Sequence, residues 1–366
     1  MSLSNNSNNS NNSNNSGGSV SLMEKEAREA PWIISRQLQE NLTLWQALFL
    51  RLQAINPAYV VTVARGSSDH AATYGKYAIE TKMGLAVASA APSVMTLYGS
   101  HLKLKQSLVL ALSQSGKSPD LCESLSSAKK SGALTVALVN QTSSPLAEMA
   151  EYVVPVWAGD ELSVAATKSY LGTLSALAQF VGVCTKDQKL LAALDQLPKY
   201  LQQACQETWP EMIELLKDAK DIFIVGRGYS FPIAQEASLK CKETCGLHAE
   251  AFSSAEVRHG PFALVQKDFP VILFAQNDQS FEMTCELSKY IKSLGARSLL
   301  IINKDQASRV TPEHYTALFT VPDSLHPMLD PILMIQSFYL MVANLSKARG
   351  LNPDQPDNLK KVTETR

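Results

Sequence analysis

At 366 residues, 45% hydrophobic and with a formal net charge of −1, the chain can bury two cores and offers no global basic field for nucleic acid. Its six cysteines (Cys122, Cys184, Cys205, Cys241, Cys245 and Cys285) form no CxxC pair and no Cys/His ligand spacing. They read as reduced thiols of a cytoplasmic protein, with no structural or catalytic metal and no cofactor. No stretch is long and apolar enough to cross a bilayer: Pro331 to Val342 comes nearest, but Gln336, Ser337 and the flanking Asp330 make it a buried helix.

In chain order, residues 1–22 are an Asn/Ser/Gly tract that cannot bury a core and reads as a linker or tag, with the natural start expected at Met23. Residues 23–45 form an N-terminal helical segment, 46–195 a first domain, 196–350 a second and 351–366 a tail. Tyr59 to Ala64 is an apolar, β-branched run that opens into Arg65, Gly66, Ser67 and Ser68, the pattern of a buried strand ending in a glycine turn. Ser107 to Leu112 is another such strand. It opens into Ser113, Gln114, Ser115, Gly116, Lys117 and Ser118, where hydroxyls, a carboxamide and a helix N-terminus suit a phosphate. A serine-capped helix start has the same composition, and the added donors with Gly116 favour the anion site over it. The Walker spacing is missing, and so is the dinucleotide glycine pattern.

The run from Ile222 to Ser230 repeats the first strand and turn about 160 residues later, which points to a duplicated domain. The stretch GRGYSFPIAQEASLKCKETCGLHAEAFSSAEVRHGP, from Gly226 to Pro261, is the richest in chemistry. It follows the strand Asp221 to Val225, and its glycine turn is expected to lie beside the acid-base groups at the carboxyl edge of the sheet. On the helix from Pro232, Glu236, Lys240 and Glu243 share one face. A salt-bridged surface would look the same, but Ala234, Ala237, Leu239, Cys241, Cys245 and Leu247 make the surroundings small and apolar. His248 and His259, with Glu250 and Glu256 between them, do not form a tight metal pattern.

These residues carry a resemblance. ARGSS at 64–68, LSQSGKSPD at 112–120, ELSVAATKSY at 161–170, the run from Gly226 to Pro261 and DQPDNLKKVT at 354–363 resemble the tandem sugar isomerase (SIS) domains of the glucosamine-6-phosphate synthase family. The similarity runs from about Met23 to the end of the chain. It implies an α/β fold of two tandem SIS domains, each a parallel sheet flanked by helices in a flavodoxin-like three-layer sandwich. It also implies that Ser113, Gln114, Ser115 and Ser118 bind a sugar phosphate, with Ser68 and Val164 lining the site. By the same likeness Glu243 shuttles a proton between C1 and C2, His259 opens the ring from the partner subunit of a homodimer with shared active sites, Lys240 lies near the sugar hydroxyls, and Lys361 closes over the open-chain sugar. Two positions depart from the family pattern: Lys117 replaces an acidic residue often found in the loop, and Ala166 stands where serine is common.

Only 58 residues precede the first strand, too few for the glutaminase domain of the synthases. The expected reaction is therefore the reverse one: glucosamine 6-phosphate opens, a proton moves from C2 to C1, and the C2 imine is hydrolysed to fructose 6-phosphate and ammonia. The resemblance is to SIS-type glucosamine-6-phosphate deaminases. Galactosamine-6-phosphate deaminases and fructosamine-6-phosphate deglycases share the loop and the base, and the sugar epimer stays open. A non-catalytic sugar-phosphate sensor is the alternative from another class, but no DNA-binding segment accompanies Glu243, His259 and Lys361. The tail from Asn352 has two prolines and no apolar periodicity, so composition alone makes it a frayed end.

Overall fold

The computed structural model describes residues 20–361. Helices α1 (Leu22–Arg28) and α2 (Ala30–Ile55) lead into a first half made of β1 (Tyr59–Val63), α3 (Ser67–Met83), β2 (Val87–Ser89), α4 (Ser93–Thr96), β3 (Ser107–Ser113), α5 (Pro119–Lys130), β4 (Leu134–Val139), α6 (Pro145–Met149), β5 (Tyr152–Pro155) and α7 (Lys168–Thr185). Helices α8 (Gln188–Ala204) and α9 (Pro210–Leu216) connect to the second half: β6 (Asp221–Gly226), α10 (Phe231–Cys245), β7 (His248–Ser253), β8 (Pro270–Phe274), α11 (Phe281–Ser293), β9 (Arg297–Asn303), β10 (Ala317–Val321) and α12 (Asp330–Ala348).

Each half holds one five-stranded sheet, ordered β2-β1-β3-β4-β5 and β10-β9-β8-β6-β7, and every ladder is parallel. The second order is the first read backwards, so the duplication seen in the sequence extends to the whole topology. β3 is buried along its length because helices cover both faces of the sheet. Burying each of its Leu and Val side chains contributes about 1.5–3 kcal/mol.

The core departs from the expectation of two cores. One cluster packs against the outer face of the first sheet, around Leu121, Leu125 and Val139. Another packs against the outer face of the second, around Phe281, Leu287 and Ile302. The largest cluster lies between the sheets and contains residues of α2, α3, α7, α10 and α12 together, so the two halves share one interior. The reason is visible in α7 and α12, which are buried nearly all round and serve both sheets at once. The helix expected at Pro331 to Val342 is thus buried, and it runs from Asp330 to Ala348.

Two proposed boundaries fall inside helices. Position 45/46 lies within α2, whose stripe Leu38, Trp45, Leu48 and Leu52 continues without a break, and position 195/196 lies within α8. Apolar periodicity carried through both junctions, and packing against the first half keeps them helical. The polar tract also gives way earlier than expected: Ser21 is buried and caps α1 by accepting from the Glu24 amide, so ordered packing is already present before Met23.

Candidate active site

The strand order of the first sheet reverses between β1 and β3, and the helices that follow them, α3 and α5, leave on opposite faces. A crevice opens at such a switch point. The glycine turn after β1 and the serine loop after β3 line it. Gly116, with φ +63°, tolerates no side chain: a Cβ there would sit 2.0 Å from Ser144 Oγ. Within the loop Ser113 Oγ accepts from the Gly116 amide at 3.0 Å and Ser115 Oγ from the Lys117 amide at 3.3 Å. Each hydroxyl keeps its own O–H for donation to a ligand. Arg65 donates to the buried carboxylate of Asp120 at 2.8 and 3.0 Å, tying the two loops together.

α10 carries the groups expected to do the acid-base work. Pro232 opens it, Gly246 closes it in the left-handed conformation at φ +55°, and small residues on its buried face allow close approach to α3 and α12. The Lys240 ammonium is buried, 3.3 Å from Glu236 Oε1 and 2.5 Å from Glu243 Oε2. Glu236 is fully buried; it accepts from Ser67 Oγ at 3.0 Å and Tyr339 OH at 3.1 Å, and its Oε2 lies 2.9 Å from His70 Nδ1. Burial pushes the Glu236 carboxyl up, but the Lys240 ammonium and the His70 ring outweigh it and hold the group below its ordinary value. Burial pushes the Lys240 ammonium down, and its two carboxylates outweigh that and raise it. Lys240 is therefore charged, with Glu236 as its saturated counter-ion, whereas Glu243 is 21% exposed and faces the cavity.

The third wall is the segment before α7. Glu161 is buried and accepts from the amides of Thr167 and Ser169, each at 3.0 Å, and from Ser169 Oγ at 2.6 Å. The tail crosses this segment, and Lys361 Nζ stands 3.1 Å from Glu161 Oε2 and 2.8 Å from the carbonyl of Ser163. Burial pushes the Glu161 carboxyl up, and Lys361 with the hydrogen bonds outweighs it and lowers it. The tail is thus docked as far as Lys361, contrary to the frayed end that its composition implies; its polar contacts replace the apolar periodicity it lacks.

These walls enclose a cavity of about 350 Å³. Ser68, Ser113, Gln114, Ser115, Ser118, Val164, Lys240, Glu243 and Lys361 all line it, as does Ala166. His259 does not: it is exposed in the loop after β7. Lys117 is exposed as well. Another expectation is corrected: the turn Gly226 to Gly228 after β6 lies outside the cavity, because α10 carries its chemistry away from its own sheet to the first one. The equivalent switch point of the second sheet carries the loop after β8. There Asp278 accepts from the Ser280 amide at 2.7 Å and from the Gln276 carboxamide. Sequence reasoning left Ser67, Tyr170 and Glu161 without roles; Glu161 stands at the head of a quoted motif, but a lone acidic residue there gives no sign of burial. Among the described residues no His, Cys, Asp and Glu side chains are grouped as a metal site, and no helix is long and apolar enough to cross a membrane. All six thiols are free, and burial pushes that of Cys184 up to about 12.

Two SIS domain matches, at residues 56–182 and 215–345, coincide with the two sheets, and the chain belongs to the SIS family. It is 31% identical over 355 residues to the isomerizing glutamine–fructose-6-phosphate aminotransferase of Thermococcus kodakarensis, covering 94% of this chain and 58% of that protein. The corresponding Thermus thermophilus protein is 30% identical, with 93% and 58% covered. The chain thus spans somewhat over half the length of these relatives. Among solved structures, a Silicibacter pomeroyi protein assigned as a phosphosugar isomerase superimposes with a TM-score of 0.85 at 40% identity, covering 92% of this chain and all of that one. The C-terminal domain of the Francisella tularensis glucosamine-fructose-6-phosphate aminotransferase gives 0.84 at 27% identity, covering 93% and 99%.

Proposed function

We propose that this cavity binds a phosphorylated amino sugar and moves a proton between its C1 and C2, and that the preferred reaction is deamination of glucosamine 6-phosphate to fructose 6-phosphate and ammonia. The observation that carries this reading is that the serine loop, Glu243 with its buried Lys240, and Lys361 line one cavity of a size suited to a small ligand. The loop from Ser113 to Ser118, with Ser68 and Val164 beside it, takes the phosphate and sugar. Glu243, in contact with the Lys240 ammonium and open to the cavity, is placed to remove the C2 proton of the open-chain sugar and return it at C1. Lys240 and Lys361 present ammonium groups to the oxygens where negative charge develops.

Removal of the C2 proton gives an enolamine; its protonation at C1 gives the C2 imine, and water adds to that carbon and expels ammonia. Dilute ammonium favours this direction by mass action. The same groups serve the reverse transfer, and the 31% identity to isomerizing aminotransferases favours that as a second reading. His259 lies outside its own chain's cavity, so its proposed role in ring opening requires a second copy of the chain, as a homodimer with shared sites. Free thiols and a phosphorylated substrate favour a cytoplasmic setting.

A panel of glucosamine, galactosamine and fructosamine 6-phosphates, assayed for ammonia released and for ammonia incorporated into fructose 6-phosphate, tests the reading. Release from glucosamine 6-phosphate above the other sugars is expected. Binding of the sugars without release or incorporation would reduce the protein to a sensor.

A further inference from the structure

The mechanism leaves unused one buried carboxylate that touches the site from behind. Glu26 of α1 is 3% exposed, far from the serine loop in sequence and outside the cavity lining. Its carboxylate accepts from the amides of Leu162 and Ser163, the latter at 3.2 Å to Oε2. The carbonyl of that same Ser163 accepts from Lys361 Nζ at 2.8 Å. One residue of the chain therefore has its amide fixed by the first helix and its carbonyl fixed on the tail lysine.

A second tie closes the loop. Asp354, at the start of the tail, accepts from the amides of Leu22 and Met23 at 2.9 and 2.8 Å, while its own carbonyl accepts from the Val164 amide at 3.1 Å. The first helix, residues 161–164 and the tail thus hold each other, and two of the three ties are charge-assisted bonds to buried or half-buried backbone amides. Removing the Glu26 acceptors leaves the buried Ser163 amide and the half-buried Leu162 amide without them, which segment 161–164 relieves by moving outward. Lys361 then loses the Ser163 carbonyl that sets its direction.

We propose that Glu26 is a positioning residue: by holding residues 162 and 163 from α1 it sets the ammonium of Lys361 over the cavity. This rests on the role given to Lys361 above. Seating of the tail then depends on how α1 is placed, so anything that displaces the first helix also unseats a group of the active site.

The test combines amide hydrogen exchange with a double-mutant cycle, using the full chain and glucosamine 6-phosphate. Glu26→Gln keeps the volume and loses an acceptor. Exchange of the amides of residues 354–361 is expected to rise about tenfold or more in the unliganded variant while the sheets keep their protection. Turnover is expected to fall about tenfold in the Lys361-containing protein, with KM nearly unchanged, and to fall no further when Glu26→Gln is added to Lys361→Ala. Unchanged exchange in the tail, or the same loss of turnover in both backgrounds, would overturn the proposal. Lys361→Ala alone turning over at the full rate would sink the role of Lys361 instead, and tail exchange then decides the positioning claim by itself. Should Glu26→Gln not fold, Asp354→Asn cuts the other tie, and its tail exchange carries the same two outcomes.

Discussion

Lys240 and Glu243 stand one helical turn apart with Nζ and Oε2 separated by 2.5 Å, and only Glu243 of the two reaches water. Glu236 is a second carboxylate on the same ammonium, at 3.3 Å, and an ammonium this deep is tolerated only with its partners in place. Glu236 spends its lone pairs on four neighbours, and Glu243 is left as the carboxylate that a substrate can meet.

From this follows the sharpest test of the chemistry. Glu243→Gln keeps the shape of the cavity and should bind the phosphosugar about as well as the parent, while turnover drops on the order of a hundredfold or more, as for loss of a general base. Isothermal titration beside the ammonia assay separates the two quantities. Near-normal turnover would remove Glu243 from the mechanism.

For the phosphate, the structure adds a reason to change two hydroxyls together. Ser113 and Ser115 each brace a neighbouring amide of the loop as well as offering a donor. Replacing both by alanine should raise KM for the phosphorylated sugar at least about tenfold, through two lost charge-assisted bonds, and change affinity for the unphosphorylated sugar far less. Equal effects on both ligands would mean that the loop only caps α5.

The exposed position of His259 makes subunit sharing testable. Mixing Glu243→Gln subunits with His259→Asn subunits should restore about one competent site per heterodimer if the histidine acts across a two-fold interface. Sedimentation or native mass spectrometry establishes that exchange has occurred. No recovery after confirmed exchange would leave His259 acting in its own chain or not at all.

A fourth expectation concerns stability and pH. Asp330, at the start of α12, accepts from the Asn277 amide at 3.2 Å and from Ser324 Oγ at 2.9 Å, but its buried Oδ1 has no hydrogen-bond partner among the described residues. Burial pushes its carboxyl up from 3.8 to about 7. The folded state favours the protonated form, so this contribution to stability is complete below the ordinary carboxylate value and is lost as pH rises through about 7. Asp330→Asn removes that loss. Relative to the parent, its melting temperature should gain from about pH 4 to about pH 7 and level off above that, with at most about 1.4 kcal/mol of stability per pH unit crossed. A constant difference across that range would show that Asp330 is ionised throughout.

Local pattern determined a good deal of this protein. The apolar runs before Gly66, Ser113 and Gly226 are strands because such residues suit a sheet buried on both faces, and the glycine or serine at the end of each marks where the chain must turn. Repetition of that unit gave the duplicated α/β halves, and the three-to-four spacing of Glu236, Lys240 and Glu243 put them on one face of α10. What local pattern does not hold is which sheet that face meets. Only packing of α10 against α3 and α12 in the shared interior carries Lys240 and Glu243 to the serine loop of the first half, and only there does Glu236 become a buried counter-ion instead of a solvated surface charge. The same holds for the tail and for Glu161. A short polar segment has no periodicity to read, and its place is set by single long-range bonds, Lys361 to Glu161 and Asp354 to the start of α1, whose partners lie hundreds of positions away in the chain.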